Sequence, residues 1–181
     1  MSEKYKIKDW VKIRGHKIFH QHENIFKHSK SLELPAFLKE ASTFLSISYP
    51  KFHKMDSLSK LGILATEVIF RNQKLSEDTA LVFSNSASSL DTDRNHRAAM
   101  EGVVSPAVFV YTLPNIVSGE ISIKYKLQSE NAFFISETFE AGLIKGYSEI
   151  LMDLKKAREV VCGWIELKNG EYDVFLCLIS T

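Results

Sequence analysis

The chain has 181 residues, 45% of them hydrophobic and 25% charged, with a formal net charge of +1. That is enough to bury a sizeable core in a single domain over residues 1–181, and too little for two ordinary domains. The composition excludes a disordered or collagen-like chain, and apolar runs such as Val174 to Ile179 are far too short to span a bilayer.

The charge is unevenly spread. Residues 1 to 30 carry eight Lys/Arg against three Asp/Glu, a local charge of +5 that leaves −4 for the remainder. Such a patch can steer an acidic partner, but without clustered aromatics or a recognised motif it does not predict nucleic-acid binding. The opening "MSEKYKIKDW" has no secretory hydrophobic stretch, so a cytoplasmic protein without membrane association is expected. Cys162 and Cys177 both lie in apolar, strand-like runs. They read as buried thiols rather than a disulfide, with a pair on adjacent strands as the other possibility.

"YKIKDWVKI" alternates as a half-buried strand does. "LPAFLKEASTFL" suits a short helix opened by Pro35. "DSLSKLGILATEVIF" predicts a longer helix, capped by Asp56 or Ser57, with Leu58, Leu61, Leu64, Ala65, Val68 and Ile69 on one stripe. "TALVFS" reads as a buried strand that runs into "NSASSLDTD", a small polar loop. "SPAVFVYTLPNIVSGEISIKYK" reads as a helix entered through Pro106 and disturbed at Pro114, which lacks a donor. "AFFIS" is a further strand, and Leu143, Ile144, Tyr147, Ile150, Leu151 and Leu154 follow at helical spacing. "EVVCGWIEL" and "YDVFLCLIS" are strands joined at Asn169-Gly170, a strong hairpin signal. A strand–helix–strand core with an antiparallel finish predicts a layered α/β fold, a mixed sheet with helices packed on it.

Two constellations bear on chemistry. His16, His20, His22 and His28 fall within "RGHKIFHQHENIFKH". Neutral imidazoles are common zinc ligands, but this spacing matches no compact metal motif, so a solvated basic surface is expected and no metal or other cofactor is assigned. In "AFFISETFEAG" an apolar run meets Ser136, Glu137, Thr138 and Glu140. A threonine hydroxyl needs a base to become a nucleophile, and the local sequence supplies none. Ser136 or Thr138 as a helix cap, with the acids complementing the helix N-terminus, is the simpler reading.

Several segments in order give a more specific resemblance. Met55 and Asp56 of "HKMDSLSKLGILATEVIF", the run "ALVFSNSASSLDTD", and Ser105, Pro106, Pro114, Asn115, Gly119, Ser122 and Ile123 carry it, followed by Asn131, Gly146, Gly163 and Glu166. Over residues 53–166 the chain resembles the N-terminal half of a β-ketoacyl-acyl-carrier-protein synthase, a thiolase-like condensing enzyme. The first fifty residues lack that family's Gly-rich opening.

The resemblance implies a thiolase-like half domain, with Thr138 where the family has its nucleophilic cysteine and Glu137 beside it. A hydroxyl stays protonated near neutral pH where a thiol at a helix N-terminus ionises. The family's catalytic histidines lie in a C-terminal half, and the chain reaches only Thr181. The chain is therefore expected not to catalyse condensation alone. It resembles a chain-length factor, the inactive partner of a full β-ketoacyl synthase in fatty-acid- or polyketide-type biosynthesis, of which aryl polyene or flexirubin pigment pathways are one kind.

The implied partners are a full synthase, a second copy of the chain, and an acyl carrier protein. Phe109, Tyr111, Pro114 and Asn115 become candidates for the partner interface and acyl tunnel, with Phe109 and Tyr111 as core residues the alternative. An acyl-carrier-protein or acyl-thioester binding module, and an enzyme of different chemistry using Thr138, are the competing functions.

Overall fold

The computed structural model describes residues 4–27, 33–71, 73, 75–100, 102 and 106–181. His28 and Ser105, both singled out above, lie outside the described residues. In chain order the elements are strands β1 (Lys6–Arg14), β2 (Lys17–His20) and β3 (Glu23–Lys27), then helices α1 (Leu34–Phe44) and α2 (Ser57–Arg71). Strand β4 (Thr79–Asn85) precedes α3 (Leu90–Ala99), α4 (Pro106–Val110) and α5 (Ile116–Tyr125). Then come β5 (Asn131–Ile135), α6 (Ala141–Asp153), β6 (Glu159–Lys168) and β7 (Glu171–Ser180). A short 3-10 turn occupies Pro50–Lys54.

The strands form one sheet in the order β3-β2-β1-β7-β6-β4-β5. The side from β3 to β6 is antiparallel, whereas β6, β4 and β5 run parallel. Every residue of β4 is buried, as expected for a parallel strand covered on both faces. Helices α1, α2 and α5 seal one face over Val11, Ile13, Leu81, Phe83, Ile165, Val174 and Leu176. Helix α6 packs on the other face over β4 and β6, against Ala80, Val82, Val160 and Cys162.

Local chemistry accounts for the boundaries. Asp56 Oδ1 accepts from the Ser59 backbone N–H at 2.9 Å, capping α2, and Oδ2 accepts from Thr92 Oγ1 at 2.9 Å. One carboxylate therefore ties the starts of α2 and α3 together. Gly62 lets α5 close on α2: an added Cβ would lie 2.3 Å from Val117 Cγ2. Asn169 and Gly170 both have positive φ, as a two-residue hairpin requires, and their N–H groups both donate to Asp91 at 2.8 Å. The Pro114 break is real, separating α4 from α5.

Three expectations need correction. The histidine-containing segment, for which no strand was expected, forms β2 and β3, with Gly15 and His16 at positive φ turning β1 into β2 and Gln21 at positive φ in the turn from β2 to β3. The polar loop "NSASSLDTD" is shorter than expected, because Leu90 already begins α3. Neither Ser136 nor Thr138 caps α6. Glu140 stands at the N-cap and makes no side-chain cap bond, while Ser136 Oγ and Thr138 Oγ1 bond to their own neighbours.

Candidate functional site

Strands β4, β5 and β6 are parallel, so their carboxyl ends meet at one end of the sheet, the place where open α/β sheets bind ligands. The loops there are built into one unit. Asn85 and Ser88 exchange two hydrogen bonds, each 2.9 Å, which folds the turn after β4. Glu166, at the end of β6, accepts from the N–H groups of Ser86 (2.7 Å) and Ala87 (3.3 Å). The Ser136 N–H donates to Asn85 O at 3.0 Å, fixing the chain as it leaves β5. Ser89 Oγ donates to Thr112 O at 2.6 Å, joining the same loop to the turn after α4.

Thr138 sits on the connection between β5 and α6, three residues before the helix, and is exposed, as is Glu137. Its Oγ1 donates to Glu140 Oε1 at 3.0 Å, and its carbonyl accepts from Ser136 Oγ at 2.8 Å. A hydroxyl held by a carboxylate is polarised weakly. Among the described residues no imidazole is hydrogen-bonded to it, and a nucleophile needs that kind of base. The strand it follows is the last in the sheet and only partly buried, with one edge open.

The interface candidates separate. Phe109 is 61% exposed, with its ring against His96 at 5.4 Å. Tyr111 turns inward onto the core and donates to Glu120 Oε1 at 3.0 Å. Burial, and then that hydrogen bond, push its phenol above the usual tyrosine range. Tyr49 donates to the same carboxylate at 3.0 Å, and burial with this bond pushes it up to about 12. Glu120 is therefore a buried anchor between two tyrosines, a role that sequence spacing alone could not display. Pro114 is half-buried, and Asn115 is exposed at the N-cap of α5 without a side-chain cap bond.

Phe109 is one of several exposed apolar side chains on neighbouring stretches of the sequence. Val110, Leu113, Ile123 and Ile135 are also exposed, on α4, the following turn, α5 and β5.

The histidines are dispersed among other partners. His20 Nε2 pairs with the buried Asp9 at 2.8 Å, His16 packs edge-on between Phe37 and Tyr172, and His22 packs edge-on to Trp10. Among the described residues no three His, Cys, Asp or Glu side chains are placed to hold a metal ion. Trp10, Lys12, Arg14, Lys17, Phe19 and His22 instead line a hollow of about 580 Å³ on the β1–β2 hairpin. No helix among the described residues is long and apolar enough to cross a membrane.

No protein-family model matches the sequence, and no curated protein matches it. Solved structures do. A ketosynthase (ApeO) in complex with its chain length factor (ApeC) from Xenorhabdus doucetiae is similar at a TM-score of 0.64 and 15% identity, over 98% of this chain and 79% of that one. The ishigamide ketosynthase/chain length factor is similar at a TM-score of 0.68 and 14% identity, over 98% of this chain and 62% of that one. A type II PKS acyl-carrier protein in complex with its ketosynthase bound to the hexaketide (AntDE:AntF) is similar at 0.64 and 13%, over 97% and 62%. The chain thus spans less than two thirds of the length of the latter two. At these identities the likeness is one of fold, and this chain has the thiolase-like α/β fold seen in ketosynthase and chain length factor complexes.

Proposed function

We infer that this chain is a non-catalytic accessory subunit of the chain-length-factor kind, which docks beside the open edge of β5 on a full β-ketoacyl synthase in polyketide- or fatty-acid-type biosynthesis. One observation carries the reading. An exposed threonine bonded to a carboxylate stands after β5, where a condensing enzyme would need an activated thiol. Ile135 on that strand is exposed, as are Phe109, Val110, Leu113 and Ile123 on α4, the turn after it and α5. An edge strand offers unpaired N–H and C=O groups to a partner, and exposed apolar side chains supply area to bury against it. Phe109 reaches toward that partner and shapes its acyl tunnel, while Tyr111 holds the turn from inside. Residues 1–181 act as a single domain in this role.

The test is co-expression with a complete β-ketoacyl synthase, followed by light scattering on the purified material. A stoichiometric complex is expected, with Ile135→Lys abolishing it and Phe109→Ala weakening it or changing product length. A strict monomer that fails to associate, or acyl transfer onto the isolated chain from an acyl thioester, would overturn the reading. Thr138→Ala is expected to leave the complex's product unchanged; loss of product would instead favour an enzyme acting through Thr138.

A second reading has its own support in the basic hollow on the β1–β2 hairpin. Lys12 and Lys17 present charge there beside Trp10 and Phe19, which suits an acidic carrier protein. Binding of an acyl carrier protein that fades steeply with salt, and is lost in a Lys12→Glu/Lys17→Glu variant, would support it.

A further inference from the structure

Cys162 on β6 and Cys177 on β7 are direct partners in the antiparallel register, and their sulfurs lie 3.7 Å apart. Both side chains point to the α6 face and are almost fully buried in the protein, at 1% and 5% exposure. We propose that Cys162 and Cys177 form an oxidisable dithiol, closed to an intrachain disulfide by a peroxide or a comparable small two-electron oxidant.

The backbone permits the bond. Directly opposed residues in an antiparallel pair have Cα atoms about 4.5 to 5.5 Å apart, inside the roughly 4.4 to 6.8 Å that disulfides span. Bringing the sulfurs from 3.7 Å to bonding distance of about 2.05 Å needs side-chain rotation rather than strand movement. The neighbouring pair shows how closely the strands approach. Gly163 has φ +147°, and an added Cβ there would lie 2.0 Å from Phe175 O.

Access comes from the same face. The two sulfurs line an apolar groove of about 230 Å³, shared with Ile7, Phe139, Ile144 and Phe175, between the start of α6 and the β1–β7 pair. Ile7 at its side is largely exposed, so a molecule the size of peroxide has a route to the thiols.

The environment also links the two thiols. Cys177 shares a hydrogen bond with Cys162, which holds Cys162 below its usual range against the opposing effect of burial. The same shared bond, with burial, raises Cys177. Either sulfur can react first, and the atoms balance in the same way when Cys162 leads. Its thiolate attacks one peroxide oxygen, the O–O bond breaks, and the departing hydroxide takes a proton to become water, leaving a sulfenic acid. The Cys177 sulfur, giving up its proton, then attacks Cys162 Sγ. The S–O bond breaks, the oxygen leaves as a second water, and the disulfide holds the two sulfurs. Two thiols are oxidised and one peroxide is reduced to two waters.

The experiment treats the purified full chain with hydrogen peroxide, quenches it, and alkylates under denaturing conditions before intact-mass and peptide analysis. The expected product has lost two hydrogens, carries no alkyl group on either cysteine, links the β6 and β7 peptides, and reverts with dithiothreitol. Free thiols at both positions, separate sulfinic acids, or cross-links between chains would overturn the proposal. In Cys177→Ser the sulfenic acid on Cys162 is expected to accumulate and react with dimedone, and so is that on Cys177 in Cys162→Ser. No dimedone adduct in either variant would overturn the sulfenic-acid route. The wild-type measurement decides disulfide formation even where a variant fails to fold.

Discussion

The two faces of the sheet are built differently. Under α1, α2 and α5 the core is sealed: Phe37, Leu61, Leu64, Ile69, Ile121 and Ile165 are fully buried. On the opposite face α6 covers β4 and β6, while Leu143, Ile150 and Leu154 on its outer side stay exposed and Phe139 and Ile7 frame an open groove. Apolar area contributes to folding only when it leaves water. The sealed face therefore stabilises this chain by itself, and the open side contributes once something else covers it. The partner surface proposed above is a third region, the β5 edge with the exposed side chains of α4 and α5, and is distinct from the groove on the α6 face.

The largest expected effect lies on the sealed face. Phe37→Ala removes a ring stacked on Tyr172 at 5.5 Å and edge-on to His16 at 5.6 Å; it should cost about 3–5 kcal/mol in urea unfolding. Ile150→Ser, on the outer side of α6, should stay within about 0.5 kcal/mol. Equal costs would erase the distinction between the faces. Gly163→Ala comes next. It forces a Cβ into Phe175 O at positive φ and should cost upwards of about 1–3 kcal/mol, with a neutral result showing that β6 and β7 can separate there.

Asp56→Ala, which loses the α2 cap and the bond from Thr92, should cost about 0.5–2 kcal/mol. Asp56→Asn is expected to recover part of it, since an amide oxygen still caps.

The smallest effect is electrostatic. Glu130, before β5, accepts from Tyr147 at 2.7 Å and pairs with Lys156 at 3.0 Å. The tyrosine bond first and the lysine second hold its carboxyl below the usual range. A depressed folded pKa means that its contribution is present above the unfolded carboxylate value and disappears as pH falls through the folded one. Carboxyl NMR titration should place Glu130 below an ordinary glutamate, and Tyr147→Phe should move it back toward one. An unmoved titration would show that this pair does not fasten α6 to the start of β5.

Local signals in the sequence carried much of this fold. The helical stripe from Leu58 to Ile69, the Asn169-Gly170 turn and the break at Pro114 each act over a few residues, through periodicity, positive φ or a missing donor, so they could be read without coordinates. The resemblance over residues 53–166 likewise led to the thiolase-like fold. Strands β2 and β3 were hidden because each is short and its apolar residues are an adjacent pair, Ile18-Phe19 and Ile25-Phe26, rather than an alternating series; pairing of β2 with β1 and of β3 with β2 makes them strands.

Long-range bonds were equally invisible. Glu166 reaches the loop at Ser86 across 80 positions and Glu120 collects Tyr49 from 71 positions away, and no local pattern encodes such partners. Sequence alone determined which segments become helix or strand near their turns, and that a threonine occupies the elbow. Only the tertiary structure decided that the strand before it is a free edge, that Phe109 faces water while Tyr111 faces the core, and that two cysteines fifteen residues apart meet. Strand order and face are set by packing between distant segments, where burial of whole surfaces outweighs local preference.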